Sequence, residues 1–277
     1  MASNIKSYWK NYINGEWVDG SDGGRISVED PAQGSPICEI AEATIEDVNS
    51  AVAAAKECFG SRQLADITPA RRLQMMMLVA QDLRAHLDEI AHVVVLDTGK
   101  RILDARGEVE MAARYFEYYG GAADKLEGSS IPLGDGFMNY TIHAPFGVSA
   151  QIVPWNYPII IAARSLAAAF ATGNASIVKS PELAPLSVYM LAKSCERVGF
   201  PKGAVNVICG YGNLTGAALA SHEDVNQLVF TGSVKTGQAI LRCAAELVVP
   251  AIMELGGKSA GVVFPDARLN DVVEGAR

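Results

Sequence analysis

The chain has 277 residues, 49% of them apolar and 19% charged, enough for one large domain or two small ones with buried cores, which excludes a disordered chain. With 23 Lys plus Arg against 31 Asp plus Glu the formal charge is -8, the wrong sign for gripping a phosphate backbone, so no nucleic-acid partner is expected. Arg164 separates the longest apolar runs, Ile159 to Ala163 and Leu166 to Ala171, which fall short of the ~18 residues of a membrane span, and no secretory apolar segment follows Lys6 and Lys10. The five cysteines are odd in number and hold no C-x-x-C pair, and His86, His92, His143 and His222 are scattered. A cytoplasmic chain with reduced thiols, no membrane contact and no metal is the expectation.

In chain order, Tyr12 to Val18 sets Asn14-Gly15 between β-formers, the signature of a short hairpin. Thr44 and Asp47 form a capping-box-like start for a helix running to Gly60. Thr68-Pro69 opens a second helix, carried by Leu73, Met76, Met77, Ala80, Leu83 and Leu87 at helical spacing, and a third is expected around Glu108 to Tyr119. The region up to about Gly128 therefore reads as mainly helical. The Gly128 to Gly136 stretch, with its serines and Pro132, reads as a linker or surface loop.

Beyond Asn139 the pattern alternates. Strands are predicted at 147–153, 175–179, 205–209, 227–230 and near 248–253, with helices at 159–171, 186–198, 214–220 and 234–245 between them. Parallel strands need crossovers and helices usually supply them, so this alternation predicts an α/β, doubly wound, Rossmann-like parallel sheet. Ligands of such sheets bind outside the carboxyl ends of the strands.

At those ends the chemistry collects. No G-x-G-x-x-G follows the first of these strands. Instead Pro154 and Pro158 bracket Asn156, whose amide, held rigidly, is suited to donate to a developing oxyanion or to cap the next helix. Lys179-Ser180-Pro181-Glu182 presents a cation and a carboxylate three apart, a pair able to hold ribose hydroxyls or simply each other. Gly210-Tyr211-Gly212 with Gly216, and Phe230-Thr231-Gly232-Ser233, place glycines and a hydroxyl where helix starts favour pyrophosphate. Glu254 follows an apolar strand, where a buried carboxylate becomes either an ion-paired group or a general base. Repeated at one edge of successive strands, these motifs suggest a nucleotide site.

Taken together, Ile152-Val153-Pro154-Trp155-Asn156-Tyr157-Pro158, Lys179-Ser180-Pro181-Glu182, Phe230-Thr231-Gly232-Ser233 and Glu254-Leu255-Gly256-Gly257-Lys258 resemble the aldehyde dehydrogenase superfamily in order and spacing. Asn14-Gly15-Glu16-Trp17 is similar too, and the resemblance covers essentially the whole chain. It implies oxidation of an aldehyde to a carboxylic acid through a cysteine thioester, with Asn156 holding the oxyanion and Glu254 activating the water that releases the acid. Lys179 and Glu182 match the residues that hold the adenosine ribose, and Trp155, Gly232 and Ser233 match adenine- and pyrophosphate-side contacts. Ile152, Val153, Pro154, Gly212, Gly216, Phe230, Leu255 and Gly256 complete the implied cofactor set. Glu182 would repel a 2'-phosphate, so NAD is the cofactor expected, with NADP the alternative.

The family's nucleophilic cysteine lies a few dozen residues beyond the position of Glu254, and this chain stops at Arg277. Cys209 and Cys243 lack the family's surrounding motif and are expected to be buried structural thiols. The resemblance therefore implies an N-terminal portion, inactive alone. Its parts would be a mainly helical 1–128, a loop and β-extension at 129–146, and a Rossmann-like NAD-binding part at 147–277, with the catalytic domain absent. The complete protein would act on a small-molecule aldehyde and form a homo-oligomer. It would do so through a strand near Asn139 to His143 whose partner strand is expected in an absent C-terminal segment. The alternative is a non-catalytic nucleotide-binding or structural protein derived from that fold.

Overall fold

A computed structural model describes residues 5–276. The chain opens with five strands, β1 (Tyr8–Trp9), β2 (Asn11–Ile13), β3 (Glu16–Val18), β4 (Arg25–Asp30) and β5 (Ser35–Ala41). Four helices follow, α1 (Ile45–Gly60), α2 (Pro69–Ala85), α3 (Leu87–Thr98) and α4 (Ile102–Ala122), then a short ribbon of β6 (Ser130–Ile131) and β7 (Asn139–Tyr140). The alternating region runs β8 (Val148–Ile152), α5 (Pro158–Ala171), β9 (Ala175–Ser180), α6 (Leu186–Val198), β10 (Val205–Cys209) and α7 (Ala217–Ala220). It closes with β11 (Gln227–Gly232), α8 (Val234–Leu247), β12 (Ala251–Leu255) and α9 (Leu269–Gly275).

The main sheet has the order β12-β11-β8-β9-β10-β2-β3. Its first five strands are parallel, and the N-terminal hairpin adds β2 antiparallel to β10. This is the doubly wound sheet that the alternation predicts. Helices α1, α7 and α8 lie over one face, α5 and α6 over the other, and α2 to α4 form a further layer behind α5 and α6. Covered on both faces, β9 and β10 are buried along their whole length, which is why Ala-Ser-Ile-Val-Lys-Ser and Val-Asn-Val-Ile-Cys carry no alternating pattern.

Local chemistry explains the element ends. Asn14 and Gly15 both adopt positive φ, 54° and 75°, and pair Ile13 with Glu16 in a tight hairpin turn that these two residue types tolerate. Thr44 and Asp47 form a reciprocal capping box on α1, and Thr68 caps α2 ahead of Pro69.

Several expectations are corrected. The helical character of 1–128 holds from Ile45 to Ala122, whereas the described residues before it are strands: β1, β5 and β4 form a second sheet. The signal was present in Arg25 to Asp30, where Ile26, Val28 and Asp30 are buried and their neighbours exposed, a period of two. The helix from Thr68 stops at Ala85 and a separate one starts at Leu87, while α4 begins at Ile102 rather than near Glu108. In place of a helix at 214–220, Gly212–Gly216 forms a wide π turn that feeds α7. The strand at 139–143 finds a partner within the chain, since Asn139 and Tyr140 pair with Ile131 and Ser130, so the supposed linker is half of a ribbon.

Candidate functional site

Strand register assembles the site. Ile208, Lys179, Ile152, Phe230 and Met253 stand side by side across five parallel strands, so the motifs read along 100 residues of sequence become one transverse row at the carboxyl edge. Just beyond this row opens a cavity of about 660 Å³. Ile152, Val153, Pro154, Trp155, Glu182, Gly212, Gly216, Phe230, Gly232 and Ser233 all line it, joined by Leu183, Lys235, Thr236, Ile240 and Cys243.

Each wall has a physical cause. After β8 the Val153 amide donates to the Lys179 carbonyl at 3.1 Å, and Pro154 then turns the chain outward, leaving the Trp155 indole exposed at the rim. Lys179 is almost fully buried, and its Nζ donates to Glu182 Oε2 at 2.7 Å. The reading of this pair as a solvated surface contact is thereby excluded. Glu182, partly exposed, keeps oxygen capacity for hydroxyl donors in the cavity.

On the opposite wall Ser233 is the N-cap of α8, its Oγ accepting from the Thr236 amide at 3.2 Å. The remaining free amides of that first turn and the helix dipole favour an anion there. At Gly232 a Cβ would stand 2.5 Å from Phe230 Cζ, so any side chain there would push the ring aside. The glycine lets the aromatic ring fold back under the rim and leaves the helix start open.

Four implied residues are placed differently, the first being Lys179, which is buried behind Glu182 and does not itself line the cavity. Leu255 reaches from β12 onto α8, where its side chain occupies the space that a Cβ on Gly237 would need, and Gly256 lies exposed past the strand end; neither lines the cavity. Glu254 was expected to be buried. It is instead 55% exposed on the edge strand, its Oε1 lying 3.8 Å from Arg164 Nη1. It borders a separate groove of about 450 Å³ between β11, β12, α4 and α5.

Asn156 is exposed where α5 begins, and its backbone is pinned from an unexpected quarter. Lys100, in the α3–α4 turn, donates from Nζ to the Asn156 carbonyl at 2.7 Å, lies 4.2 Å from the centre of the Tyr157 ring, and pairs with the buried Glu108. Burial pushes the Glu108 carboxyl up while Lys100 opposes it. Sequence reading missed Lys100 and Glu108, because nothing local marks a lysine that acts 56 residues away.

The thiols divide. Cys38, Cys58, Cys195 and Cys209 are buried, and burial pushes Cys58 to about 11 and Cys209 to about 12, so neither supplies thiolate near neutrality. Cys243 departs from the buried expectation, being half-buried on α8 in the cavity wall.

A dinucleotide suits these residues: the cavity has the Glu182 carboxylate at one side as an acceptor for ribose hydroxyls, the start of α8 with Gly232 and Ser233 at the other for phosphates, and apolar Ile152, Phe230 and Ile240 between. Comparison with known proteins gives a consistent picture. A sequence profile of the aldehyde dehydrogenase family matches residues 17–277. An aldehyde dehydrogenase of Aspergillus niger is 39% identical over 267 residues, 96% of this chain and 53% of that protein. Among solved structures, PnpE from Pseudomonas sp. WBC-3 superposes with a TM-score of 0.93 at 42% identity, covering 97% of this chain and 55% of its own. The NAD+ complex of an aldehyde dehydrogenase from Bacillus cereus does so with a TM-score of 0.94 at 36% identity, over 97% and 55%. The chain thus spans about half the length of the curated relatives it matches.

Proposed function

Since the chain belongs to the aldehyde dehydrogenase family, we propose that it is the cofactor-binding portion of an enzyme that oxidises an aldehyde to a carboxylic acid with NAD. The observation that carries this reading is the cavity itself, with Glu182, paired to the buried Lys179 behind it, on one side and the Gly232-Ser233 helix start on the other. Bound NAD would supply a hydride acceptor. Lys179 and Glu182 orient the adenosine ribose, the first turn of α8 holds phosphate oxygens, and Trp155 covers the outer rim. Glu182 also disfavours a 2'-phosphate, which supports NAD over NADP.

Asn156, held by Lys100, positions an amide at the mouth of the site where an oxyanion develops, and Glu254 takes the proton of the water that releases the acid. The thioester itself requires a cysteine thiolate. Among the described residues the buried thiols are unsuited, and Cys243 lies in the cofactor wall. These 277 residues on their own are therefore proposed to bind NAD weakly and to oxidise no aldehyde. The β6–β7 ribbon, with Phe137, Met138 and Ile142 exposed beside it, is the proposed contact of a homo-oligomer, and the proposed location is the cytoplasm. Titration calorimetry with NAD, paired with an aldehyde assay read as NADH absorbance, tests both halves. NADH formation by the purified chain that disappears in Cys243→Ser would overturn the assignment of the nucleophile to residues outside this chain.

A further inference from the structure

The proposed cofactor site leaves the opposite edge of the main sheet unused, where β3 ends the strand order. A second, smaller cavity of about 130 Å³ lies beside that edge, lined by Lys6, Tyr8, Trp9, Lys10, Trp17 and Lys193, none of which borders the first. Tyr8 and Trp9 come from β1, Trp17 from β3, and Lys193 from the middle of α6.

Its walls are aromatic and its rim is cationic. Trp9 is buried and in edge contact with Tyr189, while Trp17 packs on Tyr12 and Tyr189 and donates its indole N–H to Glu196. These contacts hold both rings in place before anything binds. Lys10 is committed to Asp19, donating to Oδ2 at 2.7 Å, and the Tyr8 hydroxyl donates to Oδ1 of the same carboxylate at 2.9 Å. The other two lysines are not committed. Lys193 is half-buried, with Nζ 4.2 Å from the centre of the Trp9 ring and 3.9 Å from Met190 Sδ. Among the described residues neither it nor Lys6 forms an ion pair.

A half-buried ammonium without a carboxylate is costly, and a second cation beside it adds repulsion. Burial pushes Lys193 below its ordinary value and the Lys6 charge adds to the push; Arg197, itself paired with Asp82, acts the same way, while Glu89 and Glu196 oppose it without pairing. The face of Trp9 offsets part of this cost and keeps the ammonium at the cavity. The Trp9 indole N–H, also buried, has no acceptor among the described residues. Two unneutralised cations around an aromatic-walled cavity lack one component, an anion with an apolar body. The space is that of about four waters, which limits the body to a few carbon atoms.

We propose that this cavity binds a small aliphatic carboxylate, held by Lys193 and Lys6 with its hydrocarbon end against Trp9 and Trp17. Each ammonium gives the carboxylate a charge-assisted hydrogen bond, and the short chain displaces water from indole surface. An inorganic anion meets the same charges and gains nothing from the walls. The site shares no residue with the cofactor cavity, so the proposal goes beyond the function proposed above and stands without it.

The chain's three tryptophans give three indole signals in proton–nitrogen NMR spectra, Trp9 and Trp17 at this cavity and Trp155 at the rim of the other. Sodium propionate is titrated into the 277-residue chain, with neutral propionamide and inorganic phosphate as matched probes and sodium chloride holding the ionic strength constant. Propionate is expected to shift the Trp9 and Trp17 signals saturably, to leave Trp155 in place, and to bind at least about tenfold more tightly than propionamide, the worth of a charge-assisted hydrogen bond. Phosphate should bind more weakly than propionate. Lys193→Gln should erase the preference for propionate, Lys193→Arg should retain part of it, and Lys6→Gln, at an exposed position, should lower it by about threefold. Backbone amide signals that coincide with the parent's away from the cavity show that each variant is folded. Equal binding of propionate and propionamide, phosphate binding as tight as that of propionate, or a propionate preference that survives in folded Lys193→Gln would overturn the proposal. So would a shift confined to Trp155, which would move the carboxylate to the other cavity.

Discussion

The two flanks of the main sheet are built to different standards. At β9 and β10 every residue is buried, and the functional Lys179 is enclosed and paired, whereas on β12 the burial pattern opens up and Glu254, Leu255 and Ile252 face outward. The same contrast divides the chemistry. Lys179, proposed to orient the adenosine ribose, stands in the enclosed part, while Glu254, proposed to act on the acyl product, is exposed at the open edge. Recognition of a rigid nucleotide rewards a pre-organised frame, and groups that must move a proton or meet a substrate are left to be completed by what binds against them. After β12 the chain exposes the apolar side chains of Val262, Val263 and Phe264.

The comparison breaks first at Lys179. Replacing it with methionine leaves Glu182 unpaired beside the cavity, and NAD affinity is expected to fall by about tenfold to a hundredfold, the cost of a lost hydrogen bond to a charged group. Leu255→Ala, on the open flank and outside the cavity, should change it less than about threefold by the same scale. Calorimetry on the two variants decides, and similar losses would show that both flanks hold the cofactor.

The enclosed side also rests on Asp97, at the end of α3, whose Oδ2 accepts from the Leu186 and Ser187 amides at 2.8 and 3.3 Å and so caps α6. Asp97→Ala strands both amides in the interior and should cost about 1–3 kcal/mol in denaturant unfolding, with Asp97→Asn milder. Burial raises this carboxyl from 3.8 to about 8, against the two amides that favour its charged form. Between those values the folded chain holds a proton that the unfolded chain has released. Stability should therefore fall as pH rises through this window, and Asp97→Asn should flatten that slope. A parent and variant with equal slopes would mean that Asp97 is ionised in the folded state.

The smallest effect concerns thiols. With a disulfide reagent at pH 8, Cys243 should react first and the four buried cysteines only after unfolding, with NAD slowing Cys243 because that side chain lines the cavity. Fast modification of Cys58 or Cys209 would show that the enclosed flank opens readily.

What was legible in the sequence follows the same division. Leu186 to Val198 was bounded correctly because an amphipathic run ends at Gly199, which adopts the left-handed conformation that stops a helix. The strand end at Cys209 was legible because Gly210 follows the apolar run directly, whereas β9 and β11 run one and two residues past the predicted ends at Lys179 and Phe230. Lys100 beneath Asn156 was not, nor was Arg164 opposite Glu254, since each pairing joins distant segments across layers and leaves no local pattern. The second sheet escaped for a different reason: β1 has only two residues, and in Arg25 to Asp30 the charged Asp30 is among the buried positions, so Ile26 and Val28 alone carry the apolar alternation.

The N-terminal hairpin sets the order in which the molecule can be completed. Tyr12 pairs with Val207, and the Asn11 side chain accepts from both the Cys209 amide and the Tyr189 hydroxyl. During synthesis at roughly 5–20 residues per second, β2 waits on the order of tens of seconds for these partners to emerge. Until then its edge has nothing to pair with, and the first strands made are among the last to dock.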